Sequence, residues 1–183
     1  MEKKVAIVAV GLLAAWCLYL ALFGPKAGIV GNLGAPRLGP PASRTRADYQ
    51  WTLRDLDDTP VPFDRFKGRT VFLNIWATWC PPCVAELPSI ANLADNPRLK
   101  DVAFLCVSTD DSPRRVKDFL RDKHWGMTVL RATDLPEAFS TEGIPATFLI
   151  APDGRIAASE VGSARWDDPS VVDFLAGLAQ SHP

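Results

Sequence analysis

Histidine, methionine and tyrosine are scarce in this chain of 183 residues, and it has only four cysteines. A zinc site needs four ligands, which Cys or His pairs at short spacing usually supply. Cys80 and Cys83 form such a pair, but the remaining candidates are widely separated. They are Cys17, Cys106, His124 and His182. The ligand count therefore argues against a zinc site, and we expect the protein to need no metal or other cofactor.

The chain also lacks an excess of positive charge, since its formal net charge is −1. Residues 1–47 carry a net +5, which leaves −6 for residues 48–183. A domain that binds nucleic acid needs a basic surface to meet the phosphates. The mildly acidic charge of residues 48–183 therefore argues against nucleic acid as a partner.

One stretch near the N-terminus contains no charged residue at all. It runs from Val5 to Phe23 and is mostly apolar. As a helix it would be about 28 Å long, close to the hydrocarbon thickness of a bilayer. Lys3 and Lys4 precede it, which favours a cytoplasmic N-terminus. We therefore expect residues 1–23 to form an uncleaved membrane anchor, with a cleaved signal peptide as the alternative.

The segment that follows, residues 24–47, mixes glycine with proline and shows no hydrophobic period. This composition is typical of a tether. We expect the segment to carry no part of the fold and residues 48–183 to form a single domain.

The most informative motif is Trp79-Cys80-Pro81-Pro82-Cys83. An apolar run, Thr70–Trp76, precedes it and a helix-like segment, Val84–Leu93, follows. Two cysteines separated by two residues at a strand-to-helix junction indicate a redox pair. A helix start favours the thiolate form of Cys80, which attacks disulfides, and Cys83 lies one turn on, close enough to close the ring. The alternative is a structural disulfide, which would stabilise little in so small a loop.

The hydrophobic pattern predicts strands that alternate with helices and a closing hairpin, which together indicate an α/β sandwich. The predicted strands are 49–56, 61–63, 70–76, 102–107, 128–130, 146–150 and 155–161. The predicted helices are one that starts at Cys80, has Pro81 and Pro82 in its first turn and runs to about 93, followed by 113–123 and 169–180, with a helical turn at 135–140.

Residues 48–183 resemble the thioredoxin fold, specifically the membrane-anchored TlpA/ResA/CcmG (DsbE) group of thiol-disulfide oxidoreductases. The motifs that carry the resemblance are Asn74–Pro88, Gly143–Ile150 and Pro152–Gly154. The resemblance implies a central mixed sheet flanked by helices, with an N-terminal β-hairpin. The stretch Asp110–Thr141 resembles the central insertion of this group.

The resemblance implies a role for each residue of the motifs. Cys80 resembles the attacking cysteine and Cys83 the resolving one. Pro145 resembles the cis-proline that faces the cysteines and helps to pair a substrate chain, and Trp79 resembles the active-site tryptophan. From the residues alone, Pro145 has the alternative of an ordinary trans proline that starts a strand. Trp79 has the alternative of a partly buried packing aromatic.

Asn74 stands where cytoplasmic thioredoxins have a buried aspartate, so this chain lacks one proton acceptor. Glu86 lies three residues after Cys83 on the same helix face, and it resembles the active-site acid of the ResA-like group. The alternative is a surface glutamate that is favourable to the helix dipole. Cys106 lies in an apolar strand, where we expect it to be an inert core residue.

The resemblance implies a reductase on the outer face of the bacterial cytoplasmic membrane, facing the periplasm. Its substrates would be apocytochrome c or a copper-site protein, and its electrons would come from a membrane donor of the CcdA/DsbD type. The rival functions are a disulfide oxidase or isomerase of the same fold, a thiol peroxidase and a copper-binding chaperone. For a chaperone, Met127 and the two histidines show no ligand spacing.

Overall fold

The computed structural model describes residues 33–39, 45–110 and 112–180, in which the chain forms seven strands and three helices. The strands are β1 Thr52–Arg54, β2 Pro60–Pro62, β3 Val71–Trp76, β4 Ala103–Ser108, β5 Thr128–Arg131, β6 Ala146–Ile150 and β7 Ile156–Val161. The helices are α1 Pro81–Ala94, α2 Pro113–Leu120 and α3 Pro169–Gln180. Three short 3₁₀ turns cover Phe63–Phe66, Pro97–Leu99 and Glu137–Phe139.

The seven strands form one mixed sheet in the order β2-β1-β5-β4-β3-β6-β7. β3, β4 and β5 run parallel to one another, whereas β6 is antiparallel to both β3 and β7. β1 and β2 form the predicted N-terminal hairpin, which joins the sheet along β5. The predicted α/β architecture, a mixed sheet flanked by helices, is thereby confirmed.

The central strand β3 is buried along its whole length, because both faces of the sheet are covered. Alternate side chains of a strand point to opposite faces. Phe72 and Trp76 pack in one core with buried residues of α1 and α3. Leu73 and Ile75 pack in a second core with residues of the N-terminal hairpin. Asn74 has the same parity as Phe72 and Trp76, so it points to the face that α1 covers.

The topology brings the cysteine motif and Pro145 to the same edge of the sheet. Parallel strands end at the same edge, so the chain leaves β3 at Trp76 and β4 at Ser108 side by side. β6 is antiparallel to β3 and therefore begins at that edge, directly after Pro145. This edge is where the cysteines start α1.

The start of α1 agrees with the helix start predicted at the cysteines, whereas the end of α2 differs from the prediction. α1 starts at Pro81, because Pro81 and Pro82 are suited to the first helical positions, where their missing N–H groups have no partner inside the helix. α2 ends at Leu120, ahead of the predicted 123, and the chain turns there with a bond from Lys123 N to Leu120 O. The predicted central insertion supplies α2, β5 and a 3₁₀ turn.

Part of the segment expected to be a free tether packs on the domain. Pro36 is buried, and Leu38 packs against the core that contains both active-site cysteines. Arg165 N donates to Gly34 O at 2.8 Å, and Arg37 N donates to Glu160 Oε2 at 3.1 Å. Nearer the domain, Ile156 N donates to Thr45 O, and Ala47 N to Gly154 O. The expectation that 24–47 carries no part of the fold is therefore wrong for the described residues 33–39 and 45–47, because their backbone groups and apolar side chains find partners on the domain.

The predicted anchor, residues 1–23, lies outside the described residues. Among the residues that are described, no helix has both the length and the apolar character needed to cross a bilayer.

The packing of residues 33–39 leads to a prediction about truncation. Removing residues 1–39 is expected to lower the free energy of unfolding by about 2 kcal/mol relative to removing 1–32, because apolar contacts and two hydrogen bonds are lost. Urea unfolding followed by circular dichroism measures the difference. The chain without residues 1–32 is the matched control, and equal midpoints for the two truncated chains would contradict the packing.

Candidate functional site

Cys80 and Cys83 are joined in a disulfide at the start of α1, with Cα atoms 5.3 Å apart. Cys80 has extended backbone angles and is the N-cap residue of the helix. Its Sγ accepts a hydrogen bond from Cys83 N at 3.3 Å. A helix start has free N–H groups and a partial positive charge, which stabilise a thiolate at this position. The structure therefore gives Cys80 the surroundings expected of an attacking cysteine.

The exposure of the motif differs from residue to residue. Trp79 is exposed, with 62% of its surface accessible, whereas Cys80 is 4% and Cys83 0% exposed. The alternative that Trp79 is a partly buried packing residue does not fit this exposure. Of the two cysteines, Cys80 thus keeps a small exposed surface next to Trp79, whereas Cys83 is shielded.

Pro145 lies beside the cysteines, as the resemblance implies. The Ile144–Pro145 peptide bond is cis, which excludes the alternative of an ordinary trans proline. The carbonyl oxygen of Ile144 is 3.7 Å from Cys80 Sγ. Pro145 O in turn accepts a bond from Gly162 N at 2.8 Å, which ties this loop to the end of β7. The role of Pro145 in pairing a substrate chain stays a prediction.

Glu86 is fully buried, so the alternative of a surface glutamate is wrong. Its Oε1 accepts a bond from Asn74 Nδ2 at 2.8 Å. Its Oε2 accepts bonds from Ala164 N and Trp166 Nε1, each at 3.0 Å. The carboxyl thus points inward from α1, one helical turn beyond Cys83, and three N–H groups hold it there.

Burial raises the pKa of Glu86 from its usual 4.5 to about 7. The bonds from Trp166, Ala164 and Asn74 act in the opposite direction, and the charge of Glu160 adds to the increase. A carboxyl with a pKa near 7 exchanges its proton at neutral pH. Glu86 therefore has the properties of a proton donor and acceptor inside the domain.

Asn74 connects Glu86 to the sheet. Its Nδ2 also contacts Thr147 Oγ1 at 2.9 Å, and among the described residues its Oδ1 has no hydrogen-bond partner. If the Asn74 amide rotates so that Oδ1 and Nδ2 exchange places, Oδ1 faces Glu86 and accepts a hydrogen bond from the protonated carboxyl. The Asn74 side chain thus suits both protonation states of Glu86, which an aspartate at this position would not.

Cys106 is fully buried in β4, and its Sγ lies 3.2 Å from Met127 Sδ. Burial, with a smaller contribution from the charge of Glu86, raises the pKa of its thiol. A buried thiol that stays protonated is a poor nucleophile. This agrees with the expectation that Cys106 is an inert core residue.

Sequence reasoning missed several residues that shape the site. Ala164 and Trp166 bind Glu86 from a loop almost eighty residues further along the chain. Asp110 binds Thr78, next to the cysteine motif. A signal for Asp110 existed, because the polar run Ser108–Asp110 follows a buried strand parallel to β3, so both strands end at the same edge.

A redox disulfide at a helix start, beside a cis-proline on a sheet of this order, defines a thioredoxin-like thiol-disulfide oxidoreductase. The family model described as Redoxin matches residues 40–175, and the chain belongs to the Redoxin family. Within it, the relatives place the chain in the TlpA/ResA/CcmG group.

Curated relatives and solved structures agree with this assignment. The chain is 29% identical over 150 residues to the thiol-disulfide oxidoreductase ResA of Bacillus subtilis, and the aligned residues cover 81% of this chain and 76% of the relative. It is also 29% identical to ResA of Bacillus cereus, over 61% of this chain and 66% of the relative. A putative thiol-disulfide oxidoreductase from Bacteroides vulgatus superposes with a TM-score of 0.62 at 25% identity, over 77% of this chain and 97% of that structure. The fold is shared with a putative thiol:disulfide interchange protein DsbE from Chlorobium tepidum, at a TM-score of 0.59 and 23% identity, over 74% of this chain and 96% of that one.

Proposed function

We propose that this enzyme is a reductase of protein disulfides, held by residues 1–23 on the outer face of the bacterial cytoplasmic membrane. The Cys80 thiolate attacks one sulfur of a partner disulfide, and the other partner sulfur leaves as a thiolate. Cys83 then attacks Cys80 Sγ, which forms the Cys80–Cys83 disulfide and releases the second partner sulfur. Two electrons pass from the dithiol to the partner, which becomes the reduced protein.

The contrast between the two cysteines supports the order of attack. Cys80 lies at the helix start, against Cys83 N, and is the more accessible of the two. Cys83 is fully buried one turn further on, where no partner disulfide can reach it, but it lies within bonding distance of Cys80. Cys80 therefore attacks and Cys83 resolves.

The single observation that carries the proposal is the buried Glu86 carboxyl, which lies one helical turn beyond the Cys80–Cys83 disulfide at the start of α1. When Cys83 attacks the mixed disulfide its thiol must lose a proton, and Cys83 is fully buried, so a nearby protein group is the acceptor that the mechanism requires. Glu86 lies one helical turn further along the same face of α1. Its carboxylate accepts the Cys83 proton during resolution and returns it when the disulfide is reduced again.

Pro145 and Trp79 frame the approach to Cys80. The loop Gly143–Pro145 passes next to Cys80 Sγ, and Trp79 presents an exposed apolar surface beside it. A substrate segment in extended form would lie along this loop and place its disulfide over Cys80. Peptide segments commonly bind by adding backbone hydrogen bonds to such an edge.

The partners follow from the compartment and the resemblance. The periplasm is kept oxidising, so the enzyme must be reduced again by a membrane electron donor, for which a protein of the CcdA/DsbD type is suitable. The substrates are disulfide-containing periplasmic proteins, either apocytochrome c during cytochrome c maturation or a copper-site protein.

The reduction potential of the Cys80–Cys83 couple tests the direction of electron flow. We expect a value near that of reducing thioredoxin, about −270 mV, rather than that of oxidising DsbA, about −120 mV. Equilibration in glutathione or dithiothreitol buffers, followed by mass spectrometry of alkylated thiols, gives the value.

A Cys106→Ala variant is the matched control for this measurement. Its potential should equal that of the unmodified chain, because Cys106 is buried and takes no part in the couple. A potential near −120 mV would contradict the reductase and favour the oxidase.

A further inference from the structure

The two residues in front of Cys80 form a tight turn. Cys80 N donates to Ala77 O at 3.2 Å, so Thr78 and Trp79 are the central residues of a four-residue turn that ends at the helix N-cap. The conformation of this turn decides where Cys80 Sγ lies relative to the first N–H groups of α1. Residues that fix the turn therefore act on the reactivity of Cys80.

Asp110 holds this turn at two points. Thr78 N donates to Asp110 Oδ2 at 2.8 Å, and Thr78 Oγ1 donates to Oδ1 at 2.6 Å. The Asp110 side chain is wholly buried. One carboxyl thus fixes both the backbone and the side chain of the residue in the first central position of the turn.

The neighbours of Asp110 hold its carboxyl rigidly. Ser108 Oγ donates to Asp110 Oδ2 at 2.8 Å and accepts a bond from Asp110 N at 3.0 Å. Arg115 Nη1 lies 3.7 Å from Oδ1, and Arg131 Nε donates to the Asp110 carbonyl oxygen at 3.4 Å. Because these groups belong to β4, α2 and β5, the turn before Cys80 is tied to the whole parallel half of the sheet.

We propose that Asp110 is a positioning residue for Cys80 and acts through Thr78. The inference rests on the proposed function, in which Cys80 makes the attack. With Thr78 fixed, Cys80 Sγ stays against Cys83 N, where the helix start stabilises the thiolate. With Thr78 released, the turn takes up other conformations, and Cys80 spends less time in the reactive geometry.

A simple charge effect of Asp110 on Cys80 predicts the opposite result. A negative charge near a thiol disfavours the thiolate, so removal of the carboxylate would by itself speed up the reaction of Cys80. Loss of positioning would slow it. Whether Asp110→Ala reacts faster or more slowly at Cys80 than the unmodified chain therefore separates the two effects.

The test compares four variants of the full chain: Thr78→Val, Thr78→Ser, Asp110→Ala and Thr70→Val. After reduction, the rate of alkylation of Cys80 by iodoacetamide is followed by mass spectrometry. Thr78→Val keeps the shape of the side chain but loses the hydroxyl, and we expect it to react about fivefold more slowly than the unmodified chain. Thr78→Ser keeps the hydroxyl and should stay within about twofold. Asp110→Ala loses both contacts and should react at least about tenfold more slowly.

Thr70→Val is the matched control. Thr70 is buried just before β3, at the far end of that strand, and its Oγ1 has no hydrogen-bond partner among the described residues. The same chemical change there should leave the rate within about twofold of the unmodified chain. If Asp110→Ala fails to fold, the alkylation rates of Thr78→Val and Thr78→Ser are compared instead, and a slower rate for Thr78→Val supports the positioning role.

The proposal is overturned if Thr78→Val reacts at the unmodified rate, if Thr78→Ser is as slow as Thr78→Val, or if Asp110→Ala is faster. The unmodified chain is tested in parallel for reduction of a protein disulfide. Failure of that reaction would contradict the proposed function. Normal reduction by the unmodified chain, with no difference among the variants, would contradict only the role of Asp110.

Discussion

Replacing Cys83 by serine is expected to leave the enzyme covalently joined to its substrates. Cys80 still lies at the start of α1 and still attacks, because its activation comes from the helix N–H groups. The mixed disulfide then persists, since the sulfur that is bonded to Cys80 in the structure, and is placed to resolve the adduct, is gone. Non-reducing electrophoresis of extracts from cells that express Cys83→Ser should show adducts that a reductant removes, and mass spectrometry of these adducts would name the substrates.

Two further variants make the trapping experiment specific. Cys80→Ser should trap little, because Cys83 is fully shielded. Cys83→Ser combined with Cys106→Ala should give the same adducts as Cys83→Ser alone, because the Cys106 thiol is buried in β4. Stronger adducts with Cys80→Ser would reverse the assignment of attacking and resolving cysteines. An absence of adducts in every variant would contradict a catalytic pair.

Replacing Glu86 by glutamine is expected to slow the resolution step about a hundredfold at neutral pH, because the Cys83 thiol loses its proton acceptor. The same change should alter the pH dependence of thiol titration, mostly for Cys83, because a nearby carboxylate is removed. The turned-over Asn74 amide can accept a bond from the new amide, so the fold should tolerate the substitution. Stopped-flow decay of the mixed disulfide and titration of the two thiols measure the two effects.

Glu86 also gives the oxidised enzyme a characteristic dependence of stability on pH. Its pKa is raised from 4.5 to about 7 on folding. Below pH 4.5 the Glu86 carboxyl is protonated in both the folded and the unfolded chain. Between pH 4.5 and 7 the unfolded chain loses this proton while the folded chain keeps it, so the free energy of unfolding falls by about 3 kcal/mol across this window. Above pH 7 both chains have lost the proton, and Glu86 causes no further change. Glu86→Gln should remove this fall.

Glu137→Gln is the matched control for both measurements, because Glu137 is exposed on a 3₁₀ turn. It should leave the fall in stability and the rate of resolution unchanged. A Glu86→Gln enzyme with an unaltered stability profile and an unaltered rate would show that Glu86 has no part in proton transfer.

The features of the fold that depend on nearby residues were predictable from the sequence. The apolar run before Cys80 gave β3, and the prolines at positions 81 and 82 agreed with a helix start at the cysteines. The hairpin signals at Pro152–Gly154 and at Asp57–Pro60 correspond to observed strand pairs. In each case the backbone preferences of a few adjacent residues decide the outcome.

The features that depend on distant partners could not be predicted in the same way. Helical spacing placed Glu86 on the face of Cys83, but its burial requires Ala164 and Trp166 to fold over it. The composition of residues 33–39 indicates a linker, but Leu38 and Pro36 pack because the domain offers them an apolar surface. The sequence of residues 33–39 contains no pattern that predicts an apolar surface elsewhere on the domain.

Transfer of two electrons from the dithiol to a protein disulfide tests the central claim most directly. The reduced full chain is mixed with a disulfide-containing protein, and thiols are counted on both partners by alkylation and mass spectrometry. We expect Cys80 and Cys83 to lose their thiols together while two thiols appear on the partner, Cys106 stays reduced, and the emission of the adjacent Trp79 changes in step. Absence of transfer, or oxidation that leaves Cys80 and Cys83 as free thiols, would contradict the account.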